Sequence, residues 1–278
     1  MEFRITTLSD NAACMGDFLA EWGLSILVET EESNVLLDTG TSISAIHNAE
    51  TLGIDLNNID KIVLSHGHYD HTGGLREMLR RIKKDIEIIA HPDVWQAKYH
   101  RRKEDPERYI GIPFQRDELE SLGARFNLTK QSVKISENIL TTGEVSMVTD
   151  YESVDSGLFI KEDSTCRPDL VLDDQALIIK TEKGLVIILG CAHRGMINTI
   201  YHAQKITGVT EIYMIIGGSH LIGVSEERLW QTIAALKELK IQKLGLCHCT
   251  DLPAIGILAQ EFGEKFLFNR SGRRIDIS

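Results

Sequence analysis

A chain of 278 residues, 42% of them hydrophobic, holds enough apolar material for one large core or for a core with an insertion. A formal net charge of −11 speaks against a general nucleic-acid scaffold, because phosphate binding is driven by Lys and Arg. No stretch approaches the ~20 apolar residues of a membrane span, and five cysteines without small-scaffold spacing fit a reducing compartment better than a disulfide framework. The expected setting is cytoplasmic, with neither nucleic acid nor membrane as partner, and Met1-Glu2-Phe3-Arg4 opens a strand rather than a signal peptide.

In chain order, strands are predicted over Phe3–Thr7, Gly23–Glu29 and Asn34–Leu37, the last ending in the polar turn Asp38-Thr39-Gly40. A helix follows over Ser42–Leu52. Lys61-Ile62-Val63-Leu64-Ser65 is apolar and β-prone, and it leads into His66-Gly67-His68-Tyr69-Asp70-His71. Three imidazoles and a carboxylate in one hexapeptide suggest a metal site rather than ordinary packing. His66 and His68, two residues apart at a strand end, project to one side and can share one ion. Asp70 and His71 lie in the turn into the helix Leu75–Ile82 and can face a second.

Past the strand Ile86–Ala90 the character changes. From about Trp95 to Leu128 the chain is charged and polar, interrupted by Gly111-Ile112-Pro113, and reads as an excursion from the core. Its basic cluster Lys98, Arg101, Arg102 and Lys103 is expected to be a solvated helix face. Trp95, Tyr99, Tyr109 and Phe114 suit a lid that stacks on a flat substrate, a small satellite core or a homodimer contact being the alternatives. Strands resume at Ser132–Ser136, Ile139–Thr142 and Ala176–Lys180. Three further apolar runs then end in histidine: Leu185–Leu189 before Gly190-Cys191-Ala192-His193, Ile212–Ile216 before Gly217-Gly218-Ser219-His220, and Lys243–Leu246 before Cys247-His248-Cys249. Open α/β sheets place ligands at such strand ends, which makes His193, His220 and His248 site candidates.

Asp38-Thr39-Gly40, the hexapeptide followed by Thr72-Gly73-Gly74, and the downstream strand-end histidines resemble the metallo-β-lactamase superfamily over nearly the whole chain. Glu21-Trp22-Gly23-Leu24-Ser25, Thr142-Gly143-Glu144, Gly190–Gly195, Gly217–Leu221 and Cys247–Thr250 resemble more closely a subfamily of metal-dependent hydrolases. Some of its members are dihydropterin-linked ribofuranosylaminobenzene phosphate synthases of methanopterin biosynthesis. The resemblance implies an α/β (α+β) fold, a four-layer αββα sandwich forming a single domain over 1–278 with an inserted lid or subdomain at about 95–128. It further implies that His66, His68 and His193 bind a first metal and that Asp70, His71 and His248 bind a second. Where many superfamily members carry a bridging aspartate, this chain has Cys191, a candidate thiolate ligand or an inert buried thiol; Asp173 and Asp174 are candidate substitutes. Trp22 stands where the resemblance implies a histidine.

Neutral imidazoles with a carboxylate suit one or two divalent ions, zinc first, with iron or manganese next. The expected activity is a metal-dependent hydrolase in which metal-bound hydroxide, oriented by Asp70, attacks a small anionic ester or phosphoester. Asp70 and His220 are the catalytic candidates, and Arg194 and His220 are the candidates for holding the substrate. The alternative is a dihydropterin-binding transferase in which the metals activate a diphosphate leaving group.

Overall fold

Runs of aliphatic and β-branched residues build three sheets in the computed structural model, which describes residues 2–101, 106–162 and 165–278. The chain divides into two units. One comprises Glu2–Lys130, Val154–Asp173 and Arg270–Ser278; the other comprises Gln131–Ser153 and Asp174–Asn269.

The first unit carries a seven-stranded sheet in the order Arg274–Ile277, Phe3–Ser9, Ser25–Thr30, Asn34–Leu37, Lys61–Val63, Ile86–Ala90, Ala124–Leu128. Its first four strands pair antiparallel and the last four parallel. Parallel neighbours need crossover connections, supplied here by the helices Ser44–Thr51, Leu75–Ile82 and Arg116–Ser121. Ala45, Ile46 and Ala49 of the first helix and Leu75, Met78, Leu79 and Ile82 of the second enter one apolar core with Leu36, Ile62 and Ile88 of the sheet. That i, i+3, i+4, i+7 spacing is the amphipathic stripe expected of a helix covering a sheet. The sequence expectation for Leu75–Ile82 and Ile86–Ala90 is met residue for residue.

The 95–128 segment is distributed between two sheets of this unit. Lys98–His100 and Arg108–Tyr109 pair with each other, and a four-stranded sheet forms with Leu158–Glu162 and Thr165–Pro168. Ala124–Leu128 is the seventh strand of the large sheet. Of its aromatic side chains, Tyr99 stacks on Phe159 at 5.6 Å between ring centres and meets Tyr109 edge-on at 5.3 Å, Trp95 meets Phe126 edge-on at 5.1 Å, and Tyr109 stays 45% exposed. Lys98 corrects the expectation of a solvated helix face. It lies in a strand with 0% of its surface exposed, because a two-residue period turns it inward onto two carboxylates. Arg102 and Lys103 lie outside the described residues.

The second unit carries a five-stranded sheet in the order Lys243–Cys247, Ile212–Gly218, Gly184–Leu189, Ala176–Thr181, Ile139–Thr141. Gly184–Leu189 is buried along its whole length and has a paired strand on each side. The helices Met196–Thr207, Glu226–Glu238 and Leu252–Phe262 contribute Ile200, Ile233 and Leu258 to its core. Ser132–Ser136, expected as a strand, is reduced to an isolated bridge between Lys134 and Leu140. Among the described residues no helix is long and apolar enough to cross a membrane.

Ile187 sits at the centre of the second core and is wholly buried. Ile187→Ala is expected to cost ~2–5 kcal/mol, lost transfer energy plus a residual cavity, measured by urea unfolding of the full chain.

Candidate metal centre

The hexapeptide lies where the sequence pattern puts it, directly after the strand Lys61–Val63, and its donors are buried. His66 Nε2 and His68 Nδ1 are 3.0 Å apart. His71 Nε2 lies 3.9 Å from Asp70 Oδ2, and the His66 and His71 rings are 4.3 Å apart. These four residues of the first unit therefore do come together.

Their orientation comes from Asp38, at the end of the neighbouring parallel strand. Its Oδ1 accepts the Ser65 N–H at 2.7 Å, while its Oδ2 accepts the Ser65 hydroxyl at 2.6 Å and meets His71 Nδ1 at 2.7 Å. Ser65 Oγ in turn lies 2.9 Å from His66 Nδ1. One buried carboxylate thus fixes His71 directly and His66 through a hydroxyl, the outer-partner arrangement that sets the tautomer and aim of metal-binding imidazoles. Asp38 adopts the left-handed conformation, φ 58°, which Asp tolerates better than most residues. In sequence, the signal for this role is a carboxylate ending the strand Asn34–Leu37 that pairs with Lys61–Val63.

A second device holds the loop between His66 and His68. Lys98 Nζ donates to Asp169 at 2.9 Å and to Asp173 Oδ1 at 2.8 Å, while Asp173 Oδ2 accepts the Gly67 N–H at 2.8 Å. Burial works against the Lys98 charge, but Asp173 and Asp169 outweigh it and hold the ammonium above its ordinary range. Burial likewise works against ionised Asp173, yet Lys98 keeps that carboxyl below its usual range. With both oxygens engaged, Asp173, a candidate substitute for the bridging aspartate, clamps the loop between His66 and His68. Gly67 is required by close approach: a Cβ there would lie 2.3 Å from the Val94 carbonyl oxygen.

Burial, reinforced by the nearby Lys98 charge, lowers the His68 pKa to about 3 against the opposing pull of Asp70 and Asp173. A neutral imidazole retains the lone pair that a divalent ion needs, so this side of the donor set fits a metal.

In the second unit the strand ends gather a second donor set. Cys191, His193 and His220 offer ligand atoms within 4.8 Å of one another, as do Cys191, His248 and Cys249. The His193 and His220 rings are 4.1 Å apart. Cys249, which the sequence reading passed over, accepts the His220 N–H at 3.2 Å and directs its thiol to the Cys191 carbonyl at 3.7 Å. Burial alone would raise the Cys249 pKa, but hydrogen bonding to the side chains of Cys191 and His220 and the nearby His248 carry it well below the ordinary thiol range. None of the five cysteines is in a disulfide. Gly218 permits the approach, since a Cβ there would lie 2.3 Å from the Gly190 carbonyl and 2.7 Å from Cys249 Sγ. Ala192, His220 and His248 all take positive φ, at 52°, 48° and 53°. Such strained residues gather at functional sites, where the surrounding fold over-determines them.

Arg194 follows His193, with its backbone N–H on Asp174 Oδ2 at 2.9 Å and its Nε on the Val145 carbonyl at 2.6 Å. Asp174 is thus bound to the backbone of the turn that carries His193. Glu152 secures the same turn by accepting the Ile197 and Asn198 N–H groups at 2.9 and 2.8 Å.

Residues 23–157 match the family model of the metallo-beta-lactamase superfamily. Over 98% of this chain and 96% of the relative, the sequence is 35% identical to the 7,8-dihydropterin-6-methyl-4-(beta-D-ribofuranosyl)-aminobenzene-5'-phosphate synthase of Methanocaldococcus jannaschii. An uncharacterized protein of the same organism is 32% identical over 98% of this chain and its own full length. Among solved structures, a metal-dependent hydrolase of the beta-lactamase superfamily superposes with a TM-score of 0.86 at 29% identity, covering 99% of both chains.

Lys98→Ala strands two buried carboxylates, a change that costs ~3–5 kcal/mol where a buried ion pair loses one partner. Urea unfolding is expected to show a loss of that size, and a loss below about 1 kcal/mol, the range of an exposed pair, would remove the clamp from the account of the site.

Proposed function

This chain belongs to the metallo-β-lactamase superfamily, and from that premise we propose that it is a metal-dependent hydrolase acting on a small anionic ester or phosphoester. The observation that carries the reading is the set of buried, pre-aimed imidazoles in the hexapeptide, with burial holding His68 neutral and Asp38 fixing His71 and, through Ser65, His66. Ordinary packing has no use for three buried histidines held this way.

The proposed ligands are His66, His68, Asp70 and His71, with His193 and His248 completing the set that the family resemblance implies; Cys191 is an additional candidate. Zinc suits these donors best, iron or manganese next. When bound, such ions supply Lewis acidity, bringing the pKa of water from ~16 toward ~7 and polarising an ester or phosphoryl oxygen. Asp70 orients the attacking water. Arg194 holds the anionic part of the substrate, and His220 passes a proton to the leaving oxygen as its bond to carbon or phosphorus breaks.

A second reading, a dihydropterin-binding transferase that displaces diphosphate, is favoured by the 35% identity to the synthase over nearly the whole chain. Incubating the metal-loaded protein with phosphodiesters, lactones and thioesters, and separately with a dihydropterin diphosphate and an aryl acceptor, separates the two. Incorporation of labelled water oxygen into product supports hydrolysis; a coupled pterin product without it supports transfer.

Purified protein is expected to carry between one and two first-row metal ions per chain by emission spectrometry, and His68→Ala to lower that content. Background metal levels after expression in metal-supplemented medium would overturn the reading.

A further inference from the structure

Trp22 is 45% exposed, yet its position is built with care. The indole Nε1 donates to Asp70 Oδ2 at 3.0 Å. Glu21, the residue before it, accepts the Thr41 and Ser42 N–H groups at 3.0 and 2.9 Å and the Ser44 hydroxyl at 2.7 Å, with the Ser42 hydroxyl on its other oxygen. The Trp22 carbonyl accepts the Thr41 hydroxyl. On the other side, the Leu24 N–H donates to the Asp70 carbonyl at 3.2 Å, and a Cβ at Gly23 would lie 2.7 Å from that same oxygen. The segment 21–24 is therefore tied to the loop after Asn34–Leu37 and laid against Asp70 at both backbone and side chain.

We propose that Trp22 is a positioning residue for Asp70, its indole N–H setting the rotation of the carboxylate that the proposed function assigns to metal. The carboxylate torsion of an aspartate is broad and nearly two-fold, so little in the side chain itself selects one setting. An N–H held in place by an anchored backbone does select one. Oδ2 is then the oxygen committed to the indole, with His71 Nε2 3.9 Å beyond it. The ring is flat and rigid, so holding its N–H also holds its exposed face in one orientation beside Asp70. An aromatic group on a substrate would find there a stacking surface already ordered.

The inference rests on Asp70 being a metal ligand, and the experiment separates the two claims. Zinc affinity is measured by chelator competition for the wild type, Trp22→Phe and Trp22→His, with circular dichroism establishing that each is folded. Loss of an outer partner to a metal ligand typically weakens binding 10–100-fold. Trp22→Phe, which keeps the ring and loses the donor, is expected to bind zinc at least about tenfold more weakly, and Trp22→His, which restores an N–H, is expected to recover most of that loss. Wild type that takes up none of zinc, iron and manganese refutes the proposed function itself; wild type and Trp22→Phe binding zinc equally refutes the positioning role alone. A further readout uses the full chain with Trp95→Phe and Trp230→Phe, which leaves Trp22 as the single tryptophan of three. Its indole ¹⁵N–¹H resonance is expected to shift on zinc addition, and a stationary resonance under saturating zinc would likewise overturn the proposal.

Discussion

A buried histidine is ready for a metal when one ring nitrogen is held by the protein so that the other is aimed. The Asp38 carboxylate meets that constraint for much of the hexapeptide. It is wholly buried and accepts from Ser65 at both backbone and hydroxyl while it holds His71. Removing it would leave a strand end carrying imidazoles with no fixed tautomer. Its position depends on the pairing of Asn34–Leu37 with Lys61–Val63, which brings the two strand ends side by side. The parallel sheet and the donor set are thus one construction, in which Asp38, Ser65, His66 and His71 are all shut off from water.

Electrostatics around the loop is balanced rather than neutral. Lys98 would by itself discourage a divalent ion near His68, but Asp169 and Asp173 surround it and turn its charge to a structural use, the fixing of Gly67 between two histidines. Buried ion pairs of this kind add little net stability compared with apolar packing. Their value here is positional, since the Gly67 N–H has one acceptor at one distance. In the second unit the corresponding work is done by backbone strain and glycine: three residues at positive φ and a glycine against Cys249 bring sulfur and imidazole donors together. Two thiols beside the histidines give that unit a softer donor character than the carboxylate and imidazoles of the hexapeptide.

The strands and the histidines that end them were legible in the sequence because both signals are local. Ile86–Ala90 and Leu75–Ile82 follow from unbroken apolar runs and from helical spacing, and the hexapeptide was placed after an apolar β-prone run, although the strand Lys61–Val63 stops short of His66 and His68. Composition likewise determined that these imidazoles, with Asp70 beside them, form a donor set suited to a divalent ion. Lys98 was misread for the same reason: its neighbours in sequence are charged, and nothing nearby announces that it turns inward. Its partner Asp173 lies 75 positions away. Asp38 and Ser65 are 27 apart, and Trp22 and Asp70 are 48 apart. Cys249 offered a thiol next to a histidine, yet its relation to Cys191 spans 58 positions and two strand crossovers. Periodicity and motif report which residues exist and which way a short element presents them. Only the tertiary structure decided which acceptor each buried donor meets, because a hydrogen bond of 2.7 to 3.0 Å between distant positions depends on the sheet order and register that the whole chain sets together.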